Sequence, residues 1–120
     1  MLNTFLIILI SLAVLDFIFL KLLIGNFFSQ KLGSLLKDKF LFAPIAILYL
    51  IMSASFTFFL TFTDFNPIAV GAILGFSIYS IYDLTNLSTI KNWPVIVSII
   101  DVTWGTTMGT LVALITTSLI

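Results

Sequence analysis

Four long apolar stretches dominate the chain, and short polar breaks between them set the elements. Apolar residues run with little interruption over Leu2–Ile24, Phe40–Phe62, Pro67–Ile90 and Pro94–Leu119. Each stretch matches the ~20 residues that an α-helix needs to cross the hydrocarbon of a bilayer. Gly25-Asn26 reads as a stop for the first helix, since glycine and asparagine favour helix C-termini. The next connector, about residues 26–39, interleaves Phe27, Phe28, Leu32, Leu35 and Leu36 with Lys31, Lys37 and Lys39. That mixture suits a short amphipathic segment lying among lipid headgroups. Pro44 is tolerable in the first turns of the second helix. Asn66-Pro67 has the form of an N-cap followed by an N1 proline, opening the third helix. Lys91-Asn92-Trp93-Pro94 leaves room only for a tight turn before the fourth. The pattern predicts an all-α integral membrane protein, a single domain over residues 1–120 with four transmembrane helices in a compact bundle.

Composition agrees with that pattern and narrows the chemistry. The chain is 61% apolar and only 8% charged. Five lysines balance five aspartates, and there is no histidine and no cysteine. Disulfides and thiolate chemistry are therefore excluded. Haem ligation by histidine, histidine-carboxylate iron sites and the usual zinc sites go with them. No metal site and no cofactor is expected. A nucleic-acid partner would need clustered positive charge, which is absent. The N-terminus lacks a basic region before its apolar run, so it reads as a retained span rather than a signal peptide.

The lysines orient the bundle. Lys21, Lys31, Lys37, Lys39 and Lys91 all flank the first-to-second and third-to-fourth connections, whereas the opposite side carries Asp64 and no lysine. By the positive-inside rule both termini face out and the lysine-bearing connections are cytoplasmic.

Three aspartates sit inside the apolar stretches: Asp16, Asp83 and Asp101. A carboxylate in hydrocarbon is costly, which makes each one a candidate functional residue. Counting from the predicted helix ends, Asp16 lies roughly 12 Å and the other two roughly 10 Å from the cytoplasmic edge. All three thus share one depth. Tyr79, Tyr82, Asp83, Asn86 and Ile90 fall on one stripe of the third helix. Asp101, Trp104, Gly105 and Met108 share a stripe of the fourth. The tight turn makes these helices antiparallel neighbours, so Asp83 and Asp101 can face each other. Two carboxylates sharing a site do not both stay ionised, and helix dipoles favour the charge on Asp101 and the proton on Asp83. The expected site for a proton, cation or substrate comprises Asp16, Asp83, Asp101, Tyr79, Tyr82, Asn86 and Trp104.

Each feature also has a plainer reading. Asp16 alone could form an interhelical hydrogen bond or pair with Lys21, and Asp83 with Asp101 could be a polar clamp between helices. Gly71/Gly75 and Gly105/Gly109 are GxxxG pairs, which read first as helix-packing devices. The threonines of the fourth helix can bond back to their own helix rather than line a path. Trp93 and Tyr49, near span ends, read as interfacial anchors.

Residues 81–106, IYDLTNLSTIKNWPVIVSIIDVTWGT, are not generic. They resemble the core signature of an uncharacterised family of small bacterial predicted membrane proteins, with a YDLTNLxT motif, a Trp-Pro turn and a D-x-x-W-G motif. Here those are Tyr82 to Leu87 with Thr89, Trp93-Pro94, and Asp101, Trp104 and Gly105. Leu15-Asp16 and the Phe-rich stretch before Lys31-Leu32-Gly33 extend the resemblance. Where family members often carry a tryptophan after the first aspartate, this chain has Phe19. The resemblance implies that the acids belong to the family pattern and that the protein resides in the bacterial inner membrane. The activity stays open. Proton- or cation-coupled transport of a small molecule leads, with a homodimer or small oligomer in the bilayer supplying the room that four helices lack. A membrane-embedded lipid-modifying enzyme or accessory subunit is the alternative, weakened by the absence of arginine to clamp phosphate and of a DDxxD-type cluster. A structural helper, with its acids acting only as interhelical clamps, is the third reading.

Overall fold

The computed structural model describes residues 1–23, 25–33 and 42–120. Within them, α1 spans Leu2–Ile18 and continues as a π-helical turn over Phe19–Leu23. The short α2 follows over Gly25–Leu32, then α3 over Phe42–Phe62, α4 over Pro67–Thr89 and α5 over Val95–Leu119. Four of these helices are long and apolar enough to cross a membrane. The protein is an all-α membrane protein whose long dimension, 42 Å, exceeds the ~30 Å hydrocarbon layer.

The local signals explain most boundaries. The Asn66 side chain caps α4 by accepting from the amides of Ile68 (2.9 Å) and Ala69 (3.3 Å), with Pro67 as the first helical residue. Pro94, extended at φ −73°, stands immediately before α5, and Asn92 takes the left-handed conformation that closes the KNWP turn. One reading needs correction. Gly25-Asn26 does not end a helix but begins α2. The part of the amphipathic connector beyond Gly33, with Lys37 and Lys39, lies outside the described residues. The part that is described is helical, with Lys31 exposed 5.8 Å above the Phe27 ring and Leu32 buried.

Lipid is as apolar as leucine, so helices in a membrane associate through close packing rather than through a hydrophobic drive. Here the closest association is α4 against α5, and it runs along glycine. A Cβ added at Gly71 would collide with the Gly109 carbonyl, and one at Gly75 with the Gly105 carbonyl. The two GxxxG pairs therefore face each other and let the backbones touch. α1 packs against α3 and α5, while α3 meets α4 only sparsely. The core where these helices meet is Ile8 and Leu12 of α1, Met52 and Phe56 of α3, and Met108 and Val112 of α5. These are i, i+4 steps on each helix, the spacing that brings side chains onto one face.

Candidate functional site

The acid of α1 continues that buried stripe. Ile8, Leu12 and Asp16 are successive i+4 positions, and all three are buried. One helical turn above the apolar core, three other helices each supply a hydrogen bond to the Asp16 carboxylate. From α3, the Tyr49 hydroxyl donates to Oδ2 at 2.6 Å. From α5, the Trp104 indole N–H donates to Oδ1 at 2.7 Å. From α4, the Tyr79 hydroxyl sits 3.2 Å from Oδ2 and 3.3 Å from Oδ1. Phe19, in the π-helical turn, stacks on Trp104 at 4.4 Å between centroids and 6° between planes, and holds the indole in place. The lone pairs of Asp16 are thus well supplied with donors.

Gly105 completes the arrangement. A Cβ at this position would strike the Tyr79 ring. The missing side chain is what lets that ring lie against α5 and bring its hydroxyl to Asp16. Gly105 therefore has two roles, close backbone packing and room for a site residue.

Asp83 has the opposite environment. It extends the α4 ladder of buried positions, Gly71, Gly75, Tyr79, Asp83, and is 1% exposed. Among the described residues, neither of its carboxyl oxygens has a hydrogen-bond partner. Asp101 and Ser98 of α5 lie beside it, close enough to interact but without hydrogen-bond geometry. The Ser98 hydroxyl also accepts from the Trp93 indole N–H at 3.0 Å, a bond that leaves its own O–H available.

The two acid environments open onto one space. A half-open cavity of about 490 Å³ is lined by Asp16, Asp83 and Asp101 together with Tyr49, Tyr79, Tyr82 and Trp93. Its remaining walls are apolar: Leu20, Leu32, Pro44, Ile45, Leu48, Met52, Ile78 and Val97. It lies at the end of the bundle where α1 finishes, α3 begins and α4 hands over to α5, which is the end bearing the lysine-rich connections. That size and a mostly apolar lining with a few convergent polar groups are usual for small-molecule sites. No group of three acids among the described residues converges closely enough to hold a metal ion.

The structure thus brings all three predicted acids to one cavity, as equal depth implied, but sorts the other residues differently. Tyr79 and Trp104 serve Asp16, not the Asp83–Asp101 pair. The plain reading of Asp16 as paired with Lys21 does not hold, since the carboxylate is filled by tyrosine and tryptophan donors and Lys21 is exposed. Tyr82 is 55% exposed and stands at the cavity rim. Asn86 is half-buried one turn beyond the cavity lining. The stripe is narrower than the spacing predicts: 79 and 83 continue the 71–75 line, while 82 is exposed at the cavity rim and 90 lies beyond the end of α4. Tyr49 and Trp93, which the sequence pattern reads as interfacial anchors, are half-buried and line the cavity. The Tyr49, Met52, Phe56 spacing, one face of α3, is the signal that would have placed Tyr49 inward. Five of the six α5 threonines follow the plain reading, Thr103, Thr106, Thr107, Thr110 and Thr117 each donating to a carbonyl four residues back in their own helix, whereas the buried Thr116 hydroxyl has no partner among the described residues.

The model of a family of predicted membrane proteins, DUF2177, matches residues 1–118, and the chain belongs to that family. No curated protein and no solved structure matches it.

Proposed function

We propose that this member of the predicted-membrane-protein family moves a small molecule across the bilayer, coupled to a proton or small cation, with the cavity at the lysine-bearing end as its binding site. The observation that carries the reading is the pairing of Asp83 and Asp101 at the wall of an apolar cavity, with the oxygens of Asp83 left without partners. Two carboxylates side by side away from water repel each other unless a proton or cation joins them. Such a pair can therefore exchange a proton for another cationic or donor group, which is the elementary step of coupled transport. Acids that served only as glue between helices would be expected to find donors, as Asp16 does. In this reading the protein lies in the bacterial cytoplasmic membrane with both termini outside, so that the cavity faces the cytoplasm. A second copy of the chain supplies the wall that the half-open cavity lacks.

The described cavity lining holds no lysine and the chain has no arginine, so these residues offer a lipid phosphate no cation, which sets the lipid-enzyme reading behind. The test is uptake into proteoliposomes under an imposed pH gradient, using a panel of small cationic, neutral and anionic tracers. At least one tracer should accumulate above protein-free vesicles, and the accumulation should vanish with a protonophore and in Asp83→Asn. Uptake equal to that of protein-free vesicles across the whole panel contradicts the proposal.

A further inference from the structure

The lining of the cavity also bears on the chemical class of its ligand. Resting on the reading of the cavity as a working site, we infer that it takes an amphiphilic primary amine, with the ammonium on Asp83 and Asp101 and the apolar body against α3.

Three observations lead there. First, the described lining residues include three acids and no lysine, so the formal charge offered to a ligand is negative. Along these described residues an anionic ligand would meet like charge, and a neutral one would leave the carboxylates without a counterion. Second, the acids are not equivalent partners. Asp16 already accepts from Tyr49, Tyr79 and Trp104. Asp83, 1% exposed and lining the cavity, has no hydrogen-bond donor among the described residues, only Asp101 and Ser98 beside it. A buried acceptor without a donor is costly, and a ligand that supplies N–H groups there removes that cost. An ammonium with three N–H donors meets both requirements, charge and hydrogen bonds, whereas a quaternary ammonium meets only the first. Third, opposite the acid pair the wall is the first turns of α3, where Pro44, Ile45 and Leu48 line the cavity and yet are exposed. α3 and α4 meet only sparsely, so α4 is not laid over this wall. An apolar tail fits along it, and a ligand partly dissolved in the bilayer reaches it from the side.

The experiment uses the full chain in nanodiscs of zwitterionic lipid. Octylammonium, octyltrimethylammonium, octanol and octanoate are titrated in turn, and tryptophan fluorescence is read, since Trp93 lines the cavity. The signal from empty discs and from free tryptophan sets the background of partitioning. Octylammonium should bind at least tenfold more tightly than octanol or octanoate and measurably more tightly than octyltrimethylammonium. Asp83→Asn should weaken octylammonium at least tenfold while leaving octanol unchanged. Octanol or octanoate binding as well as octylammonium overturns the inference, as does octylammonium binding that ignores Asp83→Asn, or no saturable signal with any of the four. Should Asp83→Asn fail to fold, the ranking of the four probes on the natural sequence decides alone. The two proposals fail separately: pH-driven uptake of only neutral or anionic tracers sinks the amine and keeps the transporter, whereas octylammonium binding without flux of any tracer does the reverse.

Discussion

Two buried carboxyls border the same cavity and live in opposite circumstances. Asp16 is held by donors from α3, α4 and α5, so that one side chain ties four helices together. Asp83 is more deeply buried and, with Asp101 and Ser98 beside it, has no hydrogen-bond partner among the described residues. The difference shows that an intramembrane acid is not one kind of feature. A saturated acid stabilises the bundle and resists change, whereas an unsatisfied acid costs stability and persists where it has something to bind. Depth and cost in hydrocarbon are the same argument for both; only the partners separate them.

The largest effect should come from emptying the saturated site. Asp16→Ala removes the acceptor of three buried donors, and hydrogen bonds to a charged group are worth roughly 1.5–3 kcal/mol each. The variant should lose at least about 3 kcal/mol in a reversible unfolding titration in mixed micelles, because several such bonds go at once. A loss under about 1 kcal/mol would show that the network is geometry without energy.

Next comes the glycine seam that gives Tyr79 its place. Gly105→Ala puts a methyl into the Tyr79 ring, and overpacking of this kind costs about 1–3 kcal/mol. Gly109→Ala meets the Gly71 backbone and should cost as much. Only Gly105→Ala should also change the environment of Tyr79, readable by ultraviolet resonance Raman of the tyrosines. The same spectral change in both variants would remove the special role of Gly105.

Tyr49→Phe should be milder, about 1 kcal/mol, since Asp16 keeps two other donors. A double-mutant cycle with Asp16→Asn should show coupling between the two positions, and strict additivity would mean that the hydrogen bond at 2.6 Å contributes nothing measurable.

How much of this was legible in the sequence follows from which forces leave a local trace. The helices were legible because span length and apolarity are local properties, and Asn66-Pro67 and Asn92-Trp93-Pro94 marked their ends with their own backbone chemistry. The equal depth of the acids followed from counting along helices. The facing of the glycine pairs followed from the short turn between α4 and α5. Partner choice left no such trace. Tyr79 and Asp83 are one turn apart on α4, and nothing local says that the tyrosine turns to Asp16 on α1 while the aspartate turns to α5. That depends on how α1 and α3 pack, and long-range helix order is not written in periodicity. That Tyr49 and Trp93 line the cavity leaves no local trace for a related reason. An aromatic near a span end satisfies the interfacial pattern whether it meets lipid or a buried acid, and only the neighbouring helix distinguishes the two. The π-helical turn at Phe19–Leu23 was not foreseen either, although it seats Phe19 on Trp104.

The central claim is that Asp16 is a clamp and Asp83 is a working acid. It is tested most directly by unfolding Asp16→Asn and Asp83→Asn side by side under identical conditions. Asp16→Asn should be clearly destabilised. Asp83→Asn should match the natural chain within about 0.5 kcal/mol or exceed it, because an amide is cheaper to bury than an unpartnered carboxyl. Equal destabilisation of the two variants would contradict the account and make Asp83 a second clamp.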